Sequence, residues 1–383
     1  MKMDLYDKKI LYELDKNARI SASKIGKKIQ LPKETVNYRI KRLIKSDYIK
    51  YFYTIINGSM LGYQYYKMFL KYYKITSDIE ESIIDFLKKE KSCSNIKLTE
   101  GPYDISFVTM QRHPYDVKRF LEALTRNYGE YLQKKSVHTL ITSYKFNQKI
   151  FYQEETIKTP FYLGEPYIAD IDDLDLKILK QISMDARVKL IDLSRCLKEK
   201  PQVIKYHLNK LEDMGVIVGY YTSLNLDKFN RELIQLDVVV KDHSVSNRMI
   251  EFFDSTKTCF SAYEVLGSYD LCFELYVKDD NHLRELTDKF KHMFLDNYVN
   301  FDVSHVYEEY QIGWSPFEND EPCEVDGEEV AKDSSELKSE TESEKKSYDG
   351  SEDYSDYSNR ESDNGSGNDS DEDSDGFDID DEE

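Results

Sequence analysis

Lys33, Thr35, Tyr38, Arg39, Lys41, Arg42 and Lys45 crowd one short stretch, LPKETVNYRIKRL and the residues just after it, threaded between Val36, Ile40 and Leu43. The apolar three recur at helical spacing and mark the buried face of a helix, which leaves Glu34, Thr35, Tyr38, Lys41, Arg42 and Lys45 pointing outward or sideways. A guanidinium on such a face matches the acceptors of a guanine edge, polar and methyl groups match adenine and thymine, and an ammonium suits a phosphate. The expected roles are therefore base contacts for Thr35, Tyr38, Arg39 and Arg42, and phosphate contacts for Lys33, Lys41 and Lys45. The bland alternative is a solvated basic surface.

The frame recurs 168 positions later as EKPQVIKYHLNKL, with His207 in place of Arg39, Asn209 in place of Lys41 and Gln202 in place of Glu34. Gln202, Lys205, His207, Asn209 and Lys210 are the corresponding candidates for duplex contact. Residues 1 to 53 carry 14 basic and 6 acidic side chains, whereas residues 170 to 221 carry 9 of each. Long-range attraction to phosphate scales with that balance. The first copy is expected to be the main anchor. The second is expected to be a weaker or differently specific reader, or a purely structural copy.

The shift of 168 needs no gap for almost fifty positions: Ile10-Leu11 meets Ile178-Leu179, Asn17-Ala18-Arg19 meets Asp185-Ala186-Arg187, and Tyr38 meets Tyr206. Such agreement is duplication. In each copy the apolar spacing predicts three short helices, the second opening near Ser21 and the third near Pro32. The short gap between helices two and three makes a helix-turn-helix. The stretches Tyr48 to Tyr53 and Val216 to Tyr221 read as a β wing. The period then changes to two, and each half gives β-α-β-β-α-β, a four-stranded antiparallel sheet with two helices on one face.

The fold class is thus α+β, with two winged helix-turn-helix domains each followed by a ferredoxin-like βαββαβ domain. The expected boundaries are 1–53 and 54–152 for the first pair, a linker over 153–169, 170–221 and 222–317 for the second pair, and a tail over 318–383. The whole chain has a net charge of −20, but the tail alone holds 28 Asp and Glu against 5 Lys and Arg. Residues 1 to 317 then hold 48 basic and 45 acidic groups, so the acidic average does not exclude a polyanionic partner. The tail is too polar to offset its ordering entropy by burial and is expected to be disordered. It reads as a solubilising tail, a docking segment for a basic protein, or a mimic of DNA.

Cys93, Cys196, Cys259, Cys272 and Cys323 have no metal-ligand spacing and are expected to be reduced. No run of apolar residues is long enough for a membrane span, so no membrane partner is expected. A soluble, cytoplasmic, nucleoid-associated protein with no cofactor follows. There is no nucleophile triad, phosphate-binding loop or metal cluster, so no catalytic residue is assigned.

The D-x-x-D-x-x-I-L opening (Asp4, Asp7, Ile10, Leu11, and again Asp172, Asp175, Ile178, Leu179), the N-A-R-I-S turn, T-V-x-Y-R-I-K-R-L and the two G-x-Y-D turns together resemble the Lrp/AsnC (leucine-responsive, feast/famine) family of transcriptional regulators. The resemblance covers roughly residues 4 to 312, in two copies. It implies double-stranded DNA as partner, a sheet domain that senses a small effector such as an amino acid, and self-association through βαββαβ domains placed back to back. Here the two halves are expected to pair as an internal pseudo-dimer. It also implies that the turns at Gly101, Tyr103, Asp104 and at Gly267, Tyr269, Asp270 lie at an effector pocket; the plain alternative is that the aspartates cap those turns. Two rivals stand beside a DNA-binding regulator. One is a small-molecule-sensing adaptor without DNA binding. The other is an enzyme like the sirohaem decarboxylases, which share this fold. Those enzymes rest on a His-containing motif where this chain has Asn95 to Thr99, and its seven histidines do not recur at equivalent places.

Overall fold

The computed structural model describes residues 3–146, 158–162, 167–310 and 316–317. The acidic segment 318–383, with Cys323, lies outside the described residues, as does the question of a basic partner for it. The first helical module is α1 (Leu5–Lys16), α2 (Ala22–Ile29) and α3 (Lys33–Lys45). Asp4 accepts the Asp7 amide at 3.0 Å while Asp7 accepts the Asp4 amide at 3.1 Å, so the D-x-x-D motif is a reciprocal helix cap. Ile10, Leu14, Ile25, Val36 and Leu43 close a core between the three helices, each fully buried.

β1 (Ile49–Ile56) follows, then β2 (Gln64–Tyr72), α4 (Ser77–Lys89), β3 (Cys93–Glu100), β4 (Ile105–Gln111), α5 (Pro114–Tyr128) and β5 (Leu132–Phe146). The second copy repeats the order after β6 (Lys158–Tyr162): α6 (Asp173–Met184), α7 (Leu190–Leu197), α8 (Pro201–Asp213), β7 (Ile217–Leu224), β8 (Glu232–Val240), α9 (Ser246–Ser255), β9 (Cys259–Leu266), β10 (Leu271–Val277), α10 (Asp280–Phe294) and β11 (Tyr298–Tyr310). Lys158–Tyr162 was expected to be linker, but it adds a strand to β5, pairing Thr142 with Tyr162 and Tyr144 with Pro160.

The wing strands form where expected, as β1 and β7, and they pair with each other across the two copies: β1 runs antiparallel to β7, placing Phe52 opposite Thr222, Tyr53 opposite Tyr221 and Thr54 opposite Tyr220. A lone two-stranded ribbon per module is marginal in water, and joining the two strands buries Tyr53, Ile55, Tyr220 and Tyr221 together. Side chains reinforce the junction with the same pattern in both directions. Thr54 Oγ1 donates to the Ile182 carbonyl at 2.6 Å and Thr222 Oγ1 to that of Leu14 at 3.1 Å. Arg19 donates to Ala186 at 2.7 Å and lies over the Tyr220 ring, while Arg187 donates to Ala18 and lies over Phe52. The N-A-R turn is therefore a clamp between the two helical modules.

In the sheet domains the strand orders are β5-β2-β4-β3 and β11-β8-β10-β9. The two sheets then join at both edges. β3 pairs with β11, Thr99 opposite Val306, and β5 pairs with β9, Ser143 opposite Tyr263. Eight strands close into a ring, so that each sheet's edges are paired with the other sheet along Ile96–Glu100 and Thr139–Lys145. The outer faces are apolar and covered by helices: Met68, Leu70 and Phe107 of the first sheet pack with Phe120 of α5 and Ile83 of α4, and Leu236, Val238 and Phe273 of the second pack with Phe253 of α9 and Phe290 of α10. Cys93, Cys259 and Cys272 are buried and form no disulfide, as expected of small apolar side chains, whereas Cys196 is disulfide-bonded, against the expectation that all the cysteines are reduced. No described helix is long and apolar enough to cross a membrane.

Candidate nucleic-acid interface

α3 presents its apolar stripe inward through Val36, Ile40 and Leu43, so what remains outside is the candidate reading surface. Lys33, Glu34, Asn37, Tyr38, Lys41 and Lys45 are exposed and Thr35 is half-buried. Tyr38, 64% exposed, stands at the centre; Tyr206, at the equivalent place on α8, is 66% exposed. The same aromatic is thus left open to solvent at equivalent places in both copies. Asn37 escaped the sequence reading, although its place one residue after buried Val36 puts it on the outer face. α2 adds exposed Lys24 and Lys27; Lys28 is paired with Glu13 at 2.5 Å.

Arg39 and Arg42 are not on that surface. Both turn back to the cap of α1. Arg39 Nη1 meets both Asp4 oxygens at 2.9 and 2.8 Å and Asp7 Oδ1 at 2.8 Å; Arg42 Nη2 meets both Asp7 oxygens at 2.7 Å. The Asp7 side chain has no exposure, and those of Arg39 and Arg42 keep 17% and 30%. A buried carboxylate is costly to leave unpaired, and this requirement outweighs a pose toward solvent. Burial pushes the Asp4 carboxyl up, but the Asp7 amide and the Arg39 guanidinium outweigh it and hold the group below the ordinary carboxylate range. The expected base contacts from these two arginines are thereby corrected.

The second copy repeats the arrangement with different residues. His207 Nδ1 lies 2.7 Å from Asp175 Oδ1 and Lys210 Nζ 2.6 Å from Asp175 Oδ2, with Asp175 fully buried. Burial raises Asp175, yet Lys210, the Asp172 amide and His207 together hold it below its ordinary value. The hydrogen bond to Asp175 in turn raises Lys210. His207 and Lys210, expected at the duplex, are partners of the α6 cap instead. What α8 leaves exposed is Gln202, Lys205, Tyr206 and Asn209, with Glu212 and Asp213 in its last turn.

Counting exposed side chains over each helix pair and its turn, residues 21 to 45 present six lysines and one carboxylate (Glu34). Residues 189 to 213 present Lys189, Arg195, Lys198, Lys200 and Lys205 against Glu199, Glu212 and Asp213. The balance of +5 against +2 keeps the sign of the sequence asymmetry and reduces its size.

The G-x-Y-D turns sit elsewhere, where the two sheet halves touch. Asp104 Oδ2 accepts the Tyr72 amide at 2.6 Å and its Oδ1 meets Lys71 Nζ at 2.6 Å; Asp270 Oδ2 accepts the Val240 amide at 2.8 Å. Tyr103 and Tyr269 are buried, and Tyr269 donates to Asp302 at 2.6 Å. A Cβ on Gly101 would lie 2.7 Å from Ser304 Oγ and 2.9 Å from the Val303 carbonyl, and one on Gly267 would overlap the His138 ring. The glycines are required by close approach of the other half. The geometry of these six residues is that of braced turns, with the carboxylates already engaged.

A family model described as winged helix-turn-helix DNA-binding matches residues 3–50 and 171–218, one match per copy. An HTH-type transcriptional regulator of Pyrococcus furiosus is 36% identical over 105 residues, covering 27% of this chain and 69% of the relative. The HTH-type transcriptional regulator Ptr1 of Methanocaldococcus jannaschii is 31% identical over 119 residues, covering 31% and 79%. Among solved structures the chain is similar to the sirohaem decarboxylase NirDL along 90% of its length and 100% of that chain, with a TM-score of 0.55 and 12% identity, a likeness of fold alone. With two matched DNA-binding modules and the motifs of both copies in place, the chain belongs to the HTH-type transcriptional regulators, as an Lrp/AsnC-like member carrying its architecture twice.

Proposed function

We propose that the α2–α3 pair is the main duplex anchor of this DNA-binding regulator, with α3 in the major groove and the α7–α8 pair as a weaker and less charged second reader. Tyr38, Thr35 and Asn37 face base edges, and Lys33, Lys41 and Lys45 face phosphates. Gln202, Tyr206 and Asn209 are the base-facing groups of the second head, with Lys205 toward phosphate. The observation that carries this reading is the unequal exposed charge of the two equivalent helix pairs, +5 against +2, whose cap carboxylates Asp7 and Asp175 are alike buried and paired. Counterion release makes each phosphate contact add about one unit to the slope of log affinity against log salt.

The amino-acid effector implied by the resemblance finds less support at Gly101, Tyr103, Asp104, Gly267, Tyr269 and Asp270, because both carboxylates already bind backbone amides. The enzyme reading has only the shared fold behind it. His138, on β5 where the two sheets meet, has no exposure and is packed against Phe69 and Tyr269. The test is a salt series on a mixed-sequence duplex read by fluorescence anisotropy. Lys41→Asn, which installs the residue of the second copy, is expected to reduce the slope by about one unit, and Asn209→Lys to raise it by about as much. Unchanged slopes in both variants refute the assignment.

A further inference from the structure

The inside of the eight-stranded ring is lined by charges, and they are segregated by origin. From the first half come Lys67 on β2, Lys97 on β3 and Lys145 on β5, each no more than 6% exposed. From the second come Asp237 on β8 and Glu274 on β10, each 2% exposed, with Glu309 of β11 at the rim. Lys97 forms an ion pair with Glu274 and lies 3.8 Å from Glu309. Ser261 Oγ donates to the other Glu274 oxygen at 2.6 Å, and Tyr263 donates to Ser261 at 2.7 Å. Gln235 donates to Asp237 at 2.6 Å. Lys67 lies over the faces of Phe69 and Tyr263, 5.5 and 5.1 Å from the ring centres, and Lys145 lies over Phe260 at 2.9 Å. Burial raises Glu274, but Lys97 and Lys67 outweigh it and hold the carboxyl at about 2, so it stays charged. Burial, with the charge of Asp302 adding to it, pushes Asp237 up against the pull of Lys67, Cys272 and Gln235.

Each charge faces a neutral residue at its equivalent place in the other copy. Gln235 stands where Lys67 does, Tyr263 where Lys97 does, Phe69 where Asp237 does and Val108 where Glu274 does. The strand registers support these equivalences, since β2 and β8 hold matching places beside β4 and β10. Two first halves closing on each other would bury Lys67 and Lys97 twice over with none of the second half's carboxylates, while Lys145, pushed down to about 7 by burial, has Asp15 of its own half as an opposing charge. Two second halves would bury Asp237 and Glu274 twice over with no lysine. Like charges taken out of water together cost more than any packing gain at such a junction returns.

We propose that these interior charges are a pairing code: each sheet half accepts only the opposite half, from the same chain or from a second copy of it, and rejects its own kind. The apolar and aromatic residues of the ring supply attraction that is nearly the same in either pairing, while the lysine and carboxylate sets supply the discrimination. One consequence is that the two unequal reading heads are always presented together.

The test starts from the intact protein with a protease site placed in residues 163–166, cut after folding. The two pieces are separated in denaturant and refolded alone and mixed, and native mass spectrometry reads the products. Reconstitution of a 1:1 complex only in the mixture supports the code, whether the single pieces stay unfolded or fold as monomers. Stable homodimers of either piece overturn it. In the uncut full chain, Lys97→Glu and Glu274→Lys are each expected to lower the Tm by about 10 °C, and the double exchange to recover most of that loss. A double variant no more stable than the sum of the two losses overturns the proposal as well.

Discussion

Replacing Arg42 by alanine separates two roles that the sequence leaves equally open. In the structure Arg42 Nη2 supplies two charge-assisted bonds of 2.7 Å to Asp7, whose side chain is fully buried, and Arg39 supplies one more at 2.8 Å. A hydrogen bond to a charged group contributes about 1.5–3 kcal/mol, and Arg42 keeps 30% of its side-chain exposure, so some of that value is screened. With Arg39 still in place, Arg42→Ala is expected to lower stability by about 2 kcal/mol. The double change Arg39→Ala with Arg42→Ala leaves Asp7 without a cation and is expected to cost about 3–5 kcal/mol. Arg42→Lys, which mimics Lys210, is expected to keep most of the stability, and Asp7→Asn to remove most of the arginine effect in a double-mutant cycle. Urea denaturation measures the loss, and competition between duplexes measures base discrimination. Stability within about 0.5 kcal/mol of the parent, together with about 1–3 kcal/mol less discrimination at one base pair, refutes the reasoning and returns Arg42 to the groove.

Two further outcomes follow from the junction between the sheet halves. Burial, with Lys67 and Lys134 adding to it, depresses His138 from 6.5 to about 4. Its contribution is therefore complete above pH 6.5 and lost as pH falls from 6.5 to 4, because the unfolded chain takes up the proton first. About 3 kcal/mol is at stake, and a His138 imidazole that titrates above pH 6 in the folded protein by NMR rules the account out. Gly267→Ala forces a Cβ into the His138 ring and is expected to cost about 1–3 kcal/mol in chemical denaturation; a neutral result removes the close approach as the reason for glycine.

Local periodicity made the helices and strands of both copies legible in the sequence. The strand-helix order expected of each half is present as β2-α4-β3-β4-α5-β5 and β8-α9-β9-β10-α10-β11. The pairing of β1 with β7 was not legible, because it joins residues 168 positions apart whose individual patterns suit a hairpin equally well. Nor was the strand at Lys158–Tyr162, which takes the edge of β5 that β2 leaves free. Arg39 and Arg42 were misplaced for a different reason. A helical wheel separates inward from outward, but these two point sideways, and a long side chain in that position follows the nearest buried charge. The needed signal was present in Asp4 and Asp7, which served for recognition of the family without being given a partner.

The same pairing explains the loss of charge in the second copy. Arg39 and His207 occupy one structural position, as do Arg42 and Lys210, and each pair serves a buried cap carboxylate, Asp7 or Asp175. Exchange of arginine for histidine there changes the net charge of the module while leaving the surface that meets a polyanion almost unaltered. The difference that reaches solvent comes from other residues: Lys41 against Asn209, Lys45 against Asp213, and Lys24 against the buried Asp192. Because attraction to phosphate depends on cations able to displace counterions, these exposed exchanges are the ones through which the proposed difference between the two heads would arise. A duplicated chain can accumulate them on one side only, since its two copies no longer share a sequence.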